Sequence, residues 1–314
     1  EIAGIKMHAA IDVIMRRNHI HHCTMGIWCD WEAQGTRLTQ NLLHDNQRPA
    51  FAKQLKGGMM CQDIFVEVGH GPTLIDNNIL LSDASLRFAT QGVAMVHNLI
   101  CGALTCVGDG TGWRYTPYHM PHRTEVRGFM TILHGDDRFY NNIFVQKWPS
   151  EDFIIMHDSD DGFDSENRKV GTWMFDEYPT YDEWISQFDF AKPADMKKLE
   201  PVHFDHLPVW SEGNVYLNGA KAWKHEKNGL VSSENVKVEL TEKDGKYILD
   251  TNIYEILGDF SGRMINTEVL GKAFEPEEFF ENPDGTPITF DADYFGGHRG
   301  AKVIPGPFAA KEDA

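Results

Sequence analysis

Asp30 and Glu67 each precede an asparagine by 11 residues, Asn41 and Asn78 respectively. Both asparagines open short apolar runs, Asn41-Leu42-Leu43 and Asn78-Ile79-Leu80. If they mark one place in successive turns of a repeating chain, the two carboxyl groups occupy equivalent positions on adjacent turns. Neighbouring strands lie about 4.7–4.9 Å apart. Carboxyl groups about 5–5.5 Å apart cleave glycosidic bonds with retention, one as nucleophile and the other as acid and base. Two carboxyls this close do not both ionise cheaply, so one is expected to stay protonated. Arg87 stands 11 residues before Asn98, and His8 stands 22 before Asp30. The same phase therefore groups His8, Asp30, Glu67 and Arg87. Asp30 lies in Gly26-Ile27-Trp28-Cys29-Asp30-Trp31 and Glu67 in Phe65-Val66-Glu67-Val68-Gly69-His70, so each charge is set among strand-forming residues. Trp28 and Trp31 offer faces on which a pyranose ring would stack, although such aromatics also serve as plain packing. With 47 acidic residues in the chain, two sharing a phase by chance is common. Spacing alone leaves a catalytic pair and a solvated surface both open.

The elements that would hold this column follow from the same asparagines. Asn followed by apolar residues recurs at Asn18, Asn41, Asn78, Asn98 and Asn142, at intervals of 23, 37, 20 and 44 residues. Three intervals fit a period near 22 if the last spans two turns, and the 37-residue step is one turn plus about 14 extra residues. Short runs such as Ile64-Phe65-Val66 and Thr73-Leu74-Ile75, bounded by Gly, Asn and Asp, read as strands. Several short strands per repeat of this length predict a parallel β-helix, with each Asn at a corner in left-handed geometry and the side chains stacked as a ladder. The extra residues of the long step fall at 47–62, punctuated by Pro49 and Gly57-Gly58, and are expected to form an excursion from one coil. Beyond about residue 150 the repeat fades. Tyr178 to Phe190 is expected to form a short helix, and Asp244-Gly245 between apolar runs a hairpin turn. The organisation expected is β-helix coils over 1–214, then late coils and a small β-rich C-terminal appendage over 215–314.

Composition bounds the function. The 314 residues carry 29 basic against 47 acidic side chains, a formal net charge of −18. That balance argues against binding a phosphate backbone and suits an uncharged ligand such as a sugar. No apolar run approaches the roughly 20 residues of a membrane-spanning helix, so no membrane partner is expected. Five cysteines without a CxxC pair point to a reducing compartment rather than a disulfide framework. Glu1 opens the sequence without a basic segment or a long apolar run. The expectation is a cytoplasmic protein, with a start in mid-pattern that suggests missing residues upstream.

Other clusters carry weaker signals. His19, His21 and His22 have no matching ligand spacing to complete a metal site, and no metal or cofactor is expected. His119 and His122 in Thr116-Pro117-Tyr118-His119-Met120-Pro121-His122 line a sugar cleft or a plain surface. Asp158-Ser159-Asp160-Asp161-Gly162 resembles a calcium loop but has Gly where a ligand is needed. Asp136-Asp137-Arg138 reads as a corner ion pair, worth little if exposed.

The segments GIKMHAAIDVI, GIWCDWEAQGTRLTQNLLHDN, DIFVEVGHGPTLIDNNILLS, YTPYHMPHRTEV and GDDRFYNNIFV resemble glycoside hydrolase family 120, β-xylosidases built on a right-handed parallel β-helix. The resemblance is dense over about residues 1–146 and thinner beyond. It implies Asp30 as nucleophile and Glu67 as acid/base, with Glu1, His8, Trp31, Gln34, His70 and Arg87 as candidates for the sugar-binding shell. The implied reaction is exo-hydrolysis of β-1,4-linked xylose from xylooligosaccharides; the sequence leaves a monomer and a homo-oligomer both open. Family members are longer, and the 47–62 excursion departs from the expected shorter link between the catalytic coils. A non-catalytic carbohydrate-binding or structural β-helix and a polysaccharide lyase are the alternative readings.

Overall fold

The computed structural model describes residues 2–47, 61–106, 115–147, 170–193, 195–203 and 205–310. Within them the chain winds as a parallel β-helix whose first five coils each give one strand to each of three sheets, the second and third sheets then gaining further strands from the chain that follows. The first coil holds β1 (Ile5–His8), β2 (Ile14–Arg16) and β3 (His19–His21); the second holds β4 (Ile27–Asp30), β5 (Thr36–Thr39) and β6 (Leu42–His44). The third holds β7 (Ile64–Glu67), β8 (Thr73–Asp76) and β9 (Ile79–Leu80), the fourth β10 (Ala84–Ala89), β11 (Val93–Val96) and β12 (Leu99–Ile100). The fifth opens with β13 (Ala103–Cys106), departs into the hairpin β14 (Thr116–His119) and β15 (Val126–Met130), and resumes with β16 (Asp137–Tyr140) and β17 (Ile143–Val145). After α1 (Tyr181–Ile185) and α2 (Met196–His203) come β18 (Val209–Glu212), β19 (Val215–Leu217) and β20 (Leu230–Ser232).

Alternation along each strand decides what faces inward. In the first sheet Ile27, Ile64 and Leu86 share one inward row and Cys29, Val66 and Phe88 the next. With Leu38, Ile75, Met95 and Phe139 from the second sheet and Leu43, Leu80, Ile100 and Phe144 from the third, they fill the shaft.

The expected asparagine ladder is present, and it runs further than the first half of the chain. Each Asn Oδ1 accepts both the backbone N–H and the Nδ2–H of the preceding Asn, from Asn18 through Asn41, Asn78, Asn98 and Asn142 to Asn214. Two expectations change. The ladder asparagines are not the left-handed residues; the residue before each one is, at Arg17, Gln40, Asn77, His97, Asn141 and Gly213. The 44-residue interval is one coil rather than two, because Asn98 bonds directly to Asn142 and β11 pairs directly with β16. Its surplus residues include the β14–β15 hairpin.

α1 begins on a capping box between Thr180 and Glu183. Asp244 and Gly245, both with positive φ, turn β21 (Val238–Lys243) into β22 (Lys246–Thr251) as expected. The chain then adds α3 (Ile253–Leu257) and α4 (Thr267–Leu270) with isolated bridges, and runs back as a belt. Ile253, Leu257 and Phe308 pack on the outer side of the third sheet, against Ile79, Leu99 and Val215. Ile265, Leu270, Phe280 and Phe290 pack on that of the second, against Leu74, Ala94 and Val96. Arg138 helps latch this belt: it pairs with Asp136 at 2.7 Å, donates to the Leu270 and Lys272 carbonyls, and lies between Trp210 and Phe280. Asp136, Asp137 and Arg138 are all buried, so the expected corner ion pair is not the exposed case of little worth but an internal clamp. The 47–62 excursion lies outside the described residues except at its ends, and the acidic run at 158–166 lies wholly outside them.

Candidate active site

The outer face of the first sheet carries the groups singled out from sequence. His8 pairs with Asp30 and Glu67 with Ala89. The β4–β7 register pairs Trp28 with Phe65 and Cys29 with Val66, and one further step sets Asp30 opposite Glu67. The outward row of this position is therefore His8, Asp30, Glu67, Ala89. The parallel outward row two residues earlier is Lys6, Trp28, Phe65, Arg87.

Arg87 thus does not share the position of the two acids, contrary to the phase counted from Asn98. The turn from Ala89 to Val93 is two residues shorter than those from Asp30 to Thr36 and from Glu67 to Thr73, so counting back from the ladder overshoots by two. Alternation returns Arg87 to the same face, buried, with its guanidinium 5.4 Å from the Phe65 ring centre. At the other end, the Lys6 ammonium lies 3.8 Å from the Trp28 ring centre, and Trp28 stacks on Phe65 at 5.6 Å. A cation, two aromatic rings and a second cation therefore form one stack beside the acids.

Two polar links join the rows, each reaching to the next coil. Lys6 Nζ lies 2.9 Å from Asp30 Oδ2. Trp28 Nε1–H donates to Glu67 Oε2 at 2.9 Å. Asp30 is 8% exposed although it points away from the shaft, so its charge is held by pairing rather than by bulk water. Sequence reasoning missed Lys6; the same coil count that aligned Asp30 with His8 aligns Trp28 with Lys6, two residues earlier on the same face.

The residue after each of His8, Asp30 and Glu67, namely Ala9, Trp31 and Val68, has positive φ, as does Glu32. Non-glycine residues in this region cost roughly 1–2 kcal/mol each. The left-handed residue turns the chain sharply out of the sheet immediately behind each polar side chain. The exposed His8 ring stacks on Trp31 at 6.2 Å and 17°, giving the edge of the site an aromatic face.

The remaining candidates serve as struts for the hairpin. Gln34 Oε1 accepts the His119 backbone N–H at 2.9 Å, and its Nε2 donates to the His119 carbonyl at 3.1 Å and to Glu278 Oε2 at 2.6 Å. Both amide hydrogens of Gln34 are engaged. His70 is buried, and burial pushes its imidazole down to about 4. Its Nε2–H donates to the Thr116 carbonyl at 3.1 Å, and its ring meets Tyr118 edge-on. Gln34 and His70 thus tie β14 to the two turns that follow Asp30 and Glu67. His119 Nε2 also approaches Glu32 Oε2 at 3.5 Å. Glu1 lies outside the described residues. His19, His21 and His44 stack on the far, third sheet, remote in the fold from this face.

Neither a family model nor a curated protein matches the chain. Among solved structures, that of XylC in complex with xylose matches it with a TM-score of 0.78 and 34% sequence identity, over 98% of this chain and 43% of XylC. The chain therefore spans less than half the length of that relative. It is related over nearly its whole described length to a protein solved with xylose.

Proposed function

We propose that these coils are the catalytic part of a family 120 glycoside hydrolase, a retaining β-xylosidase that removes xylose from the non-reducing ends of β-1,4-xylooligosaccharides. The observation that carries the reading is the placement of Asp30 and Glu67 at one position of adjacent strands, each with its own polar partner. A strand spacing of about 4.8 Å suits the short carboxyl separation of a double displacement. The relation to XylC, solved with xylose, supports the choice of sugar.

In the first step Asp30 attacks the anomeric carbon as a carboxylate, the form its ion pair with Lys6 accommodates. The bond to the leaving oxygen breaks, and Glu67 gives that oxygen its proton. A xylosyl ester on Asp30 results. In the second step Glu67, now ionised, takes a proton from water as the water oxygen attacks the same carbon; Asp30 departs and Glu67 is again protonated. The indole N–H of Trp28 on Glu67 Oε2 fixes which carboxyl oxygen remains available to the leaving group. Trp31 and His8 offer a stacking face at the rim.

Hydrolysis of 4-nitrophenyl β-D-xyloside, with proton NMR of the anomer first released from xylobiose, tests this. The β anomer is expected first. Initial α-xylose would overturn the double displacement. Absence of turnover by a folded chain would leave a carbohydrate-binding or structural β-helix in its place.

A further inference from the structure

We propose that Asp12, His122 and Glu278 form a divalent-metal site fitted to Zn²⁺, which staples three distant segments of the chain beside the proposed active site. Asp12 lies in the turn between β1 and β2, His122 in the turn of the β14–β15 hairpin, and Glu278 in the belt after α4. One ligand atom from each lies within 4.8 Å of the others.

Glu278 is the observation that separates this cluster from a solvated acidic patch. It is 1% exposed. Its Oε2 accepts from Gln34 and the His122 backbone N–H reaches towards the carboxylate, but the buried Oε1 completes no hydrogen bond among the described residues. A buried carboxylate oxygen left without a full partner is costly. This oxygen faces the space under Gly35: a Cβ there would stand 2.8 Å from Glu278 Oε1 and 2.2 Å from Asp12 Oδ1. Gly35 has a φ of +64°, so the backbone closes over both oxygens without placing a side chain between them.

The imidazole is arranged as a metal-binding histidine is. His122 Nδ1 is 2.9 Å from Asp12 Oδ1, on the side of the cluster, and Nε2 is 3.3 Å from Glu281 Oε1. With a metal on Nδ1, Nε2–H donates to Glu281, and an outer carboxylate of this kind orients the ring and raises its basicity. Three carboxylates face one imidazole, an excess of negative charge that a divalent ion offsets better than a single proton. Two carboxylates and one imidazole, with water completing the sphere, suit Zn²⁺; Ca²⁺ calls for six to eight oxygen ligands. Because Gln34 bonds both Glu278 and His119, the ion would set the hairpin against the turn that follows Asp30. Metal binding here is independent of the sugar chemistry.

The test is titration of the EDTA-stripped chain with Zn²⁺ alone, followed by calorimetry and by thermal melting. One equivalent is expected per chain, with a rise in Tm. Asp12→Asn and Glu278→Gln are each expected to weaken binding by about 100-fold or more, and Glu281→Gln by roughly 10–100-fold. Circular dichroism would establish that the variants are folded, and Glu281→Gln, at the outer position, serves if Glu278→Gln is not. The paired change His19→Ala/His21→Ala should leave the stoichiometry at one. No saturable Zn²⁺ binding would overturn the proposal. So would a site lost with His19 and His21 and kept in Glu278→Gln.

Discussion

Two columns run up this β-helix, and they are built on opposite rules. At the corner before the third sheet, the same residue type repeats from Asn18 to Asn214, and each amide satisfies the next. At the end of the first sheet the corresponding column reads His8, Asp30, Glu67, Ala89. Its members are satisfied sideways, by Lys6 and Trp28 from the neighbouring row. Repetition closes a hydrogen-bond ladder and leaves nothing for a ligand. Variation leaves groups of unlike charge and basicity on adjacent coils, which is what a reaction needing an acid beside a nucleophile requires. The ladder is a stability device and the varied column a chemical one, so substitutions in the two should separate cleanly.

The largest effect is expected at the varied column. Asp30→Asn should lower turnover on 4-nitrophenyl β-D-xyloside by on the order of 10⁴-fold, with Tm within about 2 °C of the parent. Glu67→Ala should cost roughly 10²–10⁴-fold on xylobiose, with azide restoring turnover of the activated substrate. If Asp30→Asn unfolds the chain instead, the column is structural and the contrast collapses.

Asn98→Ala should produce the reverse pattern. It removes the acceptor of the Asn78 backbone N–H and of one Asn78 Nδ2–H, and the donor to the Ile75 carbonyl, while Asn142 Oδ1 keeps only the backbone N–H of residue 98. Urea unfolding should register a loss of about 3–5 kcal/mol. Activity per folded molecule should change less than about threefold. A stable but inactive Asn98→Ala would mean that the two columns are coupled.

The smallest effect concerns the hairpin's tie to the site. His70 is held near 4 when folded against an ordinary 6.5, so between these values the unfolded chain binds more protons. Its contribution to stability is fully present above about pH 6.5 and lost as the pH falls towards 4. The steepest change is about 1.4 kcal/mol per pH unit. Buried Asp63 and Glu275, each raised to about 7, favour the folded state at lower pH and oppose this trend. The informative quantity is therefore the difference between the parent and His70→Gln, measured by chemical unfolding at pH 4.5 and 7. A difference that does not vary with pH would show that His70 is not buried as a neutral ring.

Much of this was legible in the amino-acid sequence. The ladder, the strand alternation, the Asp244-Gly245 hairpin and the alignment of Asp30 with Glu67 all rest on residue type at fixed short spacing, where backbone geometry leaves few choices. Residue types and spacing were enough to show that the chain is a stack of short-stranded coils and that Asp30 and Glu67 share a position. The number of coils emerged only in the folded chain, because an excursion returns the chain to register whatever its length. Closing a loop twice as long costs only about 0.6 kcal/mol more, so the 44 residues between Asn98 and Asn142 make one coil. The displacement of Arg87 has the same origin, a turn two residues shorter. The pairing of Lys6 with Asp30, the burial of Arg138 with Asp136, and the meeting of Asp12, His122 and Glu278 were likewise decided in three dimensions. Each depends on segments from different coils or from the belt coming together, and a side chain's charge is priced by what surrounds it after folding rather than by its neighbours in the chain.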